Sequence, residues 1–117
     1  MGWTSYQKLI VWQKAMDLAD EIYQLARRLP KEELFCLSDQ LRRAAVSIPS
    51  NIAEGRGRQT DKEFRQFLSI AKGSVYEAET QILIASRQKY VSQEDAASAL
   101  ALCNEVGKML TALITKS

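Results

Sequence analysis

The chain of 117 residues contains no histidine. That absence removes the Ser-His-Asp and Cys-His arrangements, in which an imidazole activates the nucleophile. It also removes the Glu-x-x-His pairs with which helical bundles hold two metal ions. Only two cysteines are present, Cys36 and Cys103. They lie far apart without metal-ligand spacing, and their apolar surroundings predict reduced, largely buried thiols. No glycine-rich stretch fits a P-loop or a dinucleotide fingerprint, because Gly55-Arg56-Gly57 lacks both the spacing and a preceding strand. Glu77 and Glu79 are two positions apart. On a helix they point to different faces and make a poor carboxylate pair. The residues therefore predict no enzyme, no metal site and no cofactor.

Long apolar runs are also missing. None approaches the roughly 18 residues of a membrane span, and the N-terminus has no basic-then-apolar signal pattern. A soluble, cytoplasmic protein without membrane contact is expected. The two prolines and five glycines are few, and no repeat or low-complexity segment divides the chain. A hydrophobic content of 46% supplies a core for one domain over residues 1–117. The net charge of +2 permits contact with nucleic acid without arguing for it.

What is present is helical periodicity. A first helix is predicted from about Tyr6 to Leu29, with Trp12, Ala15, Ala19, Ile22, Ala26 and Leu29 in heptad-like spacing. Val11, Leu18 and Leu25 widen that stripe. Pro30 ends it, and Lys31-Glu32-Glu33 makes a polar turn. A second helix starts between Glu33 and Ser38 and ends at Gly55 or Gly57. Leu37, Leu41, Ala44, Ala45, Ile48 and Ile52 form its apolar face. Pro49 within it predicts a kink. The sequence Thr60-Asp61-Lys62-Glu63 is a capping box that opens a third helix. Phe64, Phe67, Leu68, Ala71, Val75, Ala78, Ile82 and Ala85 form its core face, and it ends near Gln88 to Tyr90. Ser92 caps a fourth helix that runs to about Thr115, with a seam of Ala96, Ala99, Cys103, Val106, Leu110 and Leu113. Short connections between four amphipathic helices predict an all-α, antiparallel up-down four-helix bundle with a kinked second helix.

Three features lie outside the core faces. Gln40, Ser47, Asn51 and Glu54, flanked by Arg43, form a polar stripe on the second helix. It is either a buried network meeting Ser74 and Glu77 or a solvated helix edge. Ile70 and Ile84 leave the main seam of the third helix, with Gly73 near the same side. Together with Leu18 and Leu25 on the widened first stripe, they predict an oligomer interface. Arg42, Arg43, Arg56, Arg58, Lys62, Arg65 and Lys72 gather around the second and third helices. Such residues meet backbone phosphates without reading sequence. No aromatic residues interleave with them, which argues against a base-stacking platform. The plainer reading is a solvated face with local pairs such as Asp61 and Arg65.

Three stretches carry a resemblance: LIVWQKAMDLADEIYQLARRLP, DQLRRAAVSIPSNIAEGRGR and FLSIAKGSVYEAETQI. They make the chain similar, over nearly its whole length, to the bacterial 23S rRNA-intervening sequence proteins. The resemblance implies a four-helix bundle that assembles as a homopentamer. A related branch is the accessory variability determinant of diversity-generating retroelements, in which the basic pentamer binds nucleic acid and a reverse transcriptase. Carried over, that behaviour assigns phosphate contact to Arg42, Arg43, Arg56, Arg58, Arg65 and Lys72. Gln40, Arg43, Asn51, Glu54 and Glu77 then serve structural hydrogen bonding. Two readings stand: an oligomeric RNA- or DNA-binding accessory protein, or a structural scaffold that recognises another protein. A HEPN-type endoribonuclease also uses a helical bundle, but its arginine-histidine motif cannot exist here.

Overall fold

The computed structural model describes residues 5–116. A short 3-10 helix, Ser5–Lys8, leads into α1 (Ile10–Ala26), α2 (Leu37–Arg56), α3 (Asp61–Arg87) and α4 (Gln93–Lys116). A second 3-10 turn, Lys31–Glu33, lies between α1 and α2. No strand occurs among the described residues, and the fold is an all-α four-helix bundle measuring 43 × 26 × 20 Å.

The first helix is shorter than its periodicity predicted. Leu9 is extended (ψ 126°) and separates the 3-10 turn from α1. The Tyr6 and Trp12 rings meet edge to face at 5.3 Å, and the Gln13 side chain donates to the Gln7 carbonyl at 3.0 Å, which holds the chain in this reversal. At the other end α1 stops at Ala26, where Ser38 donates its hydroxyl to the Ala26 carbonyl at 3.4 Å. Glu33 accepts from the Leu37 amide at 3.3 Å and so opens α2 in place of a capping side chain at Cys36. Its other carboxylate oxygen takes the Tyr90 hydroxyl at 3.0 Å. One glutamate thus ties the α1–α2 connection to the α3–α4 connection, and this hydrogen bond raises the Tyr90 pKa.

The Thr60 hydroxyl accepts the Glu63 amide at 3.1 Å and donates to the Glu63 carboxylate at 3.0 Å, the reciprocal arrangement a capping box supplies. Ser92 accepts the Asp95 amide at 3.0 Å to start α4. The Ser92 hydrogen bond, with Arg28 beside it, holds the Asp95 carboxyl below its ordinary value. α3 ends with Lys89 in the left-handed region (φ 65°) and the Tyr90 amide reaching back to Ala85 at 3.0 Å. Pro49 is buried inside α2, and the helix continues through it without a break.

Each helix packs on two neighbours in cyclic order, α1 on α2 and α4, α3 on α2 and α4. Along α1 and α4 the contacts run in opposite order: Lys14 meets Glu105, Glu21 meets Ser98, and Arg28 meets Asp95. Along α2 and α3, Gln40 meets Gln81, Ser47 meets Ser74, and Gly55 meets Phe67. Leu18, Ile22, Leu41, Ile48, Ile52, Leu68, Ile82 and Leu110 fill the interior between the four helices.

One sequence expectation is corrected here. Leu18 and Leu25 are core residues, 0% and 5% exposed, and take no part in an outer surface of this chain. The stripe of α1 that faces inward is Val11, Ala15, Leu18, Ile22 and Leu25, while Trp12 and Ala19 are only partly buried at its margin. α4 is long and apolar enough to cross a membrane by length and composition alone, with a mean hydropathy of 1.3 over its best window. Ala96, Ala99, Cys103, Val106 and Leu110 of this helix face the core of the bundle.

The helices α2 and α3 approach each other closely at Gly55. A Cβ there would lie 2.6 Å from the Phe67 Cβ and 3.3 Å from the Phe64 carbonyl oxygen. Neither neighbour is the free end of a side chain, so α3 would have to move. Gly55→Ala is expected to destabilise the fold by about 1–3 kcal/mol, although alanine favours a helix by about 1 kcal/mol. Urea unfolding of the variant checks this, and an unchanged or raised midpoint would contradict the packing argument.

Candidate nucleic-acid interface

The end of α2 and the start of α3 meet in a tight corner. Gly57 closes α2, its amide bonding back to the Ala53 and Glu54 carbonyls, and Thr60 opens α3 three residues later. Because Gly55 has no side chain, Phe64 and Phe67 lie directly against the last turn of α2. Arg56 on that turn and Arg58 just past it, both exposed, fold over the rings: the Arg56 guanidinium carbon is 5.9 Å from the Phe64 centroid and that of Arg58 4.8 Å from the Phe67 centroid. Arg58 also pairs with Glu54 at 2.7 Å. Lys62 and Arg65 belong to the first turns of α3 in the same corner.

The remaining predicted phosphate contacts are elsewhere. Arg42 and Arg43 precede Arg56 on α2 by some four turns, about 20 Å. Arg43 bonds Asp39 at 3.0 Å, and Arg42 donates to the Leu34 carbonyl at 3.3 Å. Lys72 sits two turns beyond Arg65, about 10 Å away, over the Tyr76 ring at 5.9 Å. The cations are therefore spread along the bundle in separate groups. The expectation that aromatics stay apart from them is corrected: Phe64, Phe67 and Tyr76 each carry a cation on the ring. The available signal was the i, i+3 pair Phe64 and Phe67 just across a short turn from the two arginines. The periodicity places both rings on the core face, and in the fold they are half-buried.

The polar stripe is divided in the same way. Ser47 and Ser74 share a hydrogen bond of 2.8 Å between α2 and α3, and Asn51 donates to the Ser47 carbonyl and hydroxyl at 2.8 and 3.0 Å. Ser74 is buried, so this part is an internal network. Gln40 reaches Gln81 at 3.5 Å, not Glu77, which is exposed. Glu54 turns to Arg58 and Arg43 to Asp39, both at the surface. Gln40, Arg43, Ser47, Glu77 and Gln81 line a groove of about 300 Å³, into whose wall the Gln81 Oε1 atom is buried without a donor. Gln81 was not singled out from the sequence, where it reads as an ordinary helix-surface glutamine.

On the outer side of α3, Ile70 and Ile84 are 52% and 43% exposed, and a Cβ on Gly73 would meet nothing within 4 Å. Tyr76 and Leu83 flank them, also exposed. The connection before α2 exposes Leu34 and Phe35, the latter 88% exposed.

The cysteines differ from each other. Cys36 is exposed, which overturns its expected burial, because it lies in the irregular link before α2 rather than on a helix face. Cys103 is buried between α3 and α4 beside a groove of about 250 Å³. Burial, with Glu79 nearby, pushes its thiol up to about 12. Among the described residues no cluster of acidic or sulfur ligands is placed to hold a metal.

Fold and surface define a small helical-bundle protein whose cations lie on the outside, with a cation-covered aromatic corner between its second and third helices. The chain belongs to the 23S rRNA-intervening sequence protein family, which it matches over residues 7–112. Among solved structures it is similar to a Bacteroides thetaiotaomicron protein of unknown function from the S23 ribosomal protein family. The two share 28% sequence identity and superpose with a TM-score of 0.84 over 91% of this chain and 99% of that one. No curated protein matches the chain.

The thiols supply a direct check on this geometry. A thiol-specific reagent at pH 8 is expected to modify one cysteine, Cys36, in the folded protein and both in denaturant. The raised Cys103 pKa carries a sign: its stabilising contribution is complete below the unfolded value near 9 and is lost as pH rises toward 12. Rapid labelling of Cys103 in the native state would show that α3 and α4 separate more readily than their packing implies.

Proposed function

We propose that the protein is a non-enzymatic bundle that assembles with copies of itself and holds RNA or DNA through phosphate contacts, as a cytoplasmic accessory to a nucleic-acid enzyme. The observation that carries this reading is the α2–α3 corner, where Arg56 and Arg58 stand exposed with Lys62 and Arg65 on the adjoining helix. Guanidinium groups in such a position meet phosphate oxygens as planar donors. Carried over from the related branch, the accessory variability determinant, this role would make a reverse transcriptase the kind of enzyme the protein serves. Arg42, Arg43 and Lys72 become outlying contacts, usable when assembly brings several chains to one strand.

Self-assembly is supported by the outer face of α3. Ile70, Gly73 and Ile84 share one side of the helix, and a partner backbone can come close at Gly73. A pentamer is the assembly the family resemblance implies. The second reading, a scaffold that recognises another protein, is favoured by the exposed Leu34 and Phe35, which lie at the opposite end of α2 from the arginine corner.

Replacing both Arg56 and Arg58 with Glu is expected to weaken binding of labelled RNA or DNA at least tenfold in fluorescence anisotropy, with helix content unchanged. Retained affinity would remove the corner from the proposal. Binding by the wild type should weaken steeply with salt. Ile70→Asp or Ile84→Asp should lower the mass measured by light scattering; a wild type that is already monomeric at micromolar concentration would end the assembly reading.

A further inference from the structure

We propose that the α2–α3 corner takes single-stranded nucleic acid, with bases stacking on the Arg56 and Arg58 guanidinium planes while Lys62 and Arg65 meet the phosphates. The inference rests on the nucleic-acid reading above and specifies its ligand. Two observations carry it.

The first is the layering. Each guanidinium lies over a phenylalanine ring, 5.9 Å and 4.8 Å from the centroids, and both arginines are exposed. The ring attracts the cation. Because both arginines are exposed, their guanidinium groups stay accessible to an incoming base. Unpaired bases stack on arginine planes of this kind, whereas the bases of a duplex are covered by one another.

The second is the charge. The corner holds four cations, Arg56, Arg58, Lys62 and Arg65, but also three carboxylates, Glu54, Asp61 and Glu63. Glu54 is already bonded to Arg58 at 2.7 Å. Phosphate attraction alone is therefore modest, and the other cations lie about 10 and 20 Å away along the helices. A duplex, which offers only phosphates to this surface, gains little. A single strand adds base stacking to the same few phosphate contacts. Phe64 and Phe67 are set at the required height by Gly55, whose missing side chain lets the two helices touch.

Fluorescence anisotropy with short labelled oligo(U), oligo(dT), a mixed-sequence duplex and an abasic oligodeoxynucleotide tests this. The protein arms are wild type and the Arg56→Lys, Arg58→Lys double variant, which keeps the charge and loses the planes. The expected result is binding of oligo(U) and oligo(dT) about tenfold tighter than of the duplex or the abasic strand. The double variant should lose about that factor on the single strands only, with its salt dependence unchanged. Equal affinity for all four polymers, with the lysine variant matching wild type, would overturn the stacking proposal and leave the phosphate reading intact. No binding by any polymer at low salt would remove both.

Discussion

The contact between α2 and α3 at Gly55 is the constraint on which the rest of this structure depends. A helix backbone can approach another this closely only where a side chain is missing, and here the neighbour is the Cβ of Phe67. The approach brings the two helices together at the corner, and the Ser47–Ser74 hydrogen bond holds them at mid-length. Gln40 and Gln81 meet further along. α1 and α4 then complete the bundle from the other side, each touching one member of this central pair and each other. The corner that displays Arg56 and Arg58 is a direct consequence of the same close packing.

Stability comes from the interior far more than from charge. Large aliphatic residues from all four helices are fully buried, and burying each is worth about 1.5–3 kcal/mol. The ion pairs join exposed partners and contribute little beyond helix register. Arg43 and Asp39 pair within one turn of α2, and Arg58 pairs back from just past the end of α2 to Glu54, so neither pair links two helices.

The outer surface is arranged in distinct regions. The arginine corner occupies one end of α2, the exposed Leu34 and Phe35 the other, and the apolar side of α3 runs between the two ends. Under the proposed reading, a strand, a second chain and a protein partner would each have a separate region of this surface.

The sequence by itself determined the four helices and most of their ends, because apolar periodicity, the Thr60 and Ser92 caps and Pro30 act locally. It also determined most of the inward faces of α2, α3 and α4, although Phe64 and Phe67 at the start of α3 are only half-buried. It misread α1, where Val11, Leu18 and Leu25 and the adjacent Trp12 and Ala19 make a stripe broad enough to fit several rotations about the axis. Only contact with α2 and α4 selects the one that buries Leu18 and Leu25. The site was legible as residue types: the arginines, the serine–asparagine stripe and the outer isoleucines were all visible. Their grouping was not. Which cations share a surface, and which rings lie beneath them, depends on how far apart two helices stand, and that distance was decided in the tertiary structure by the absent side chain of Gly55.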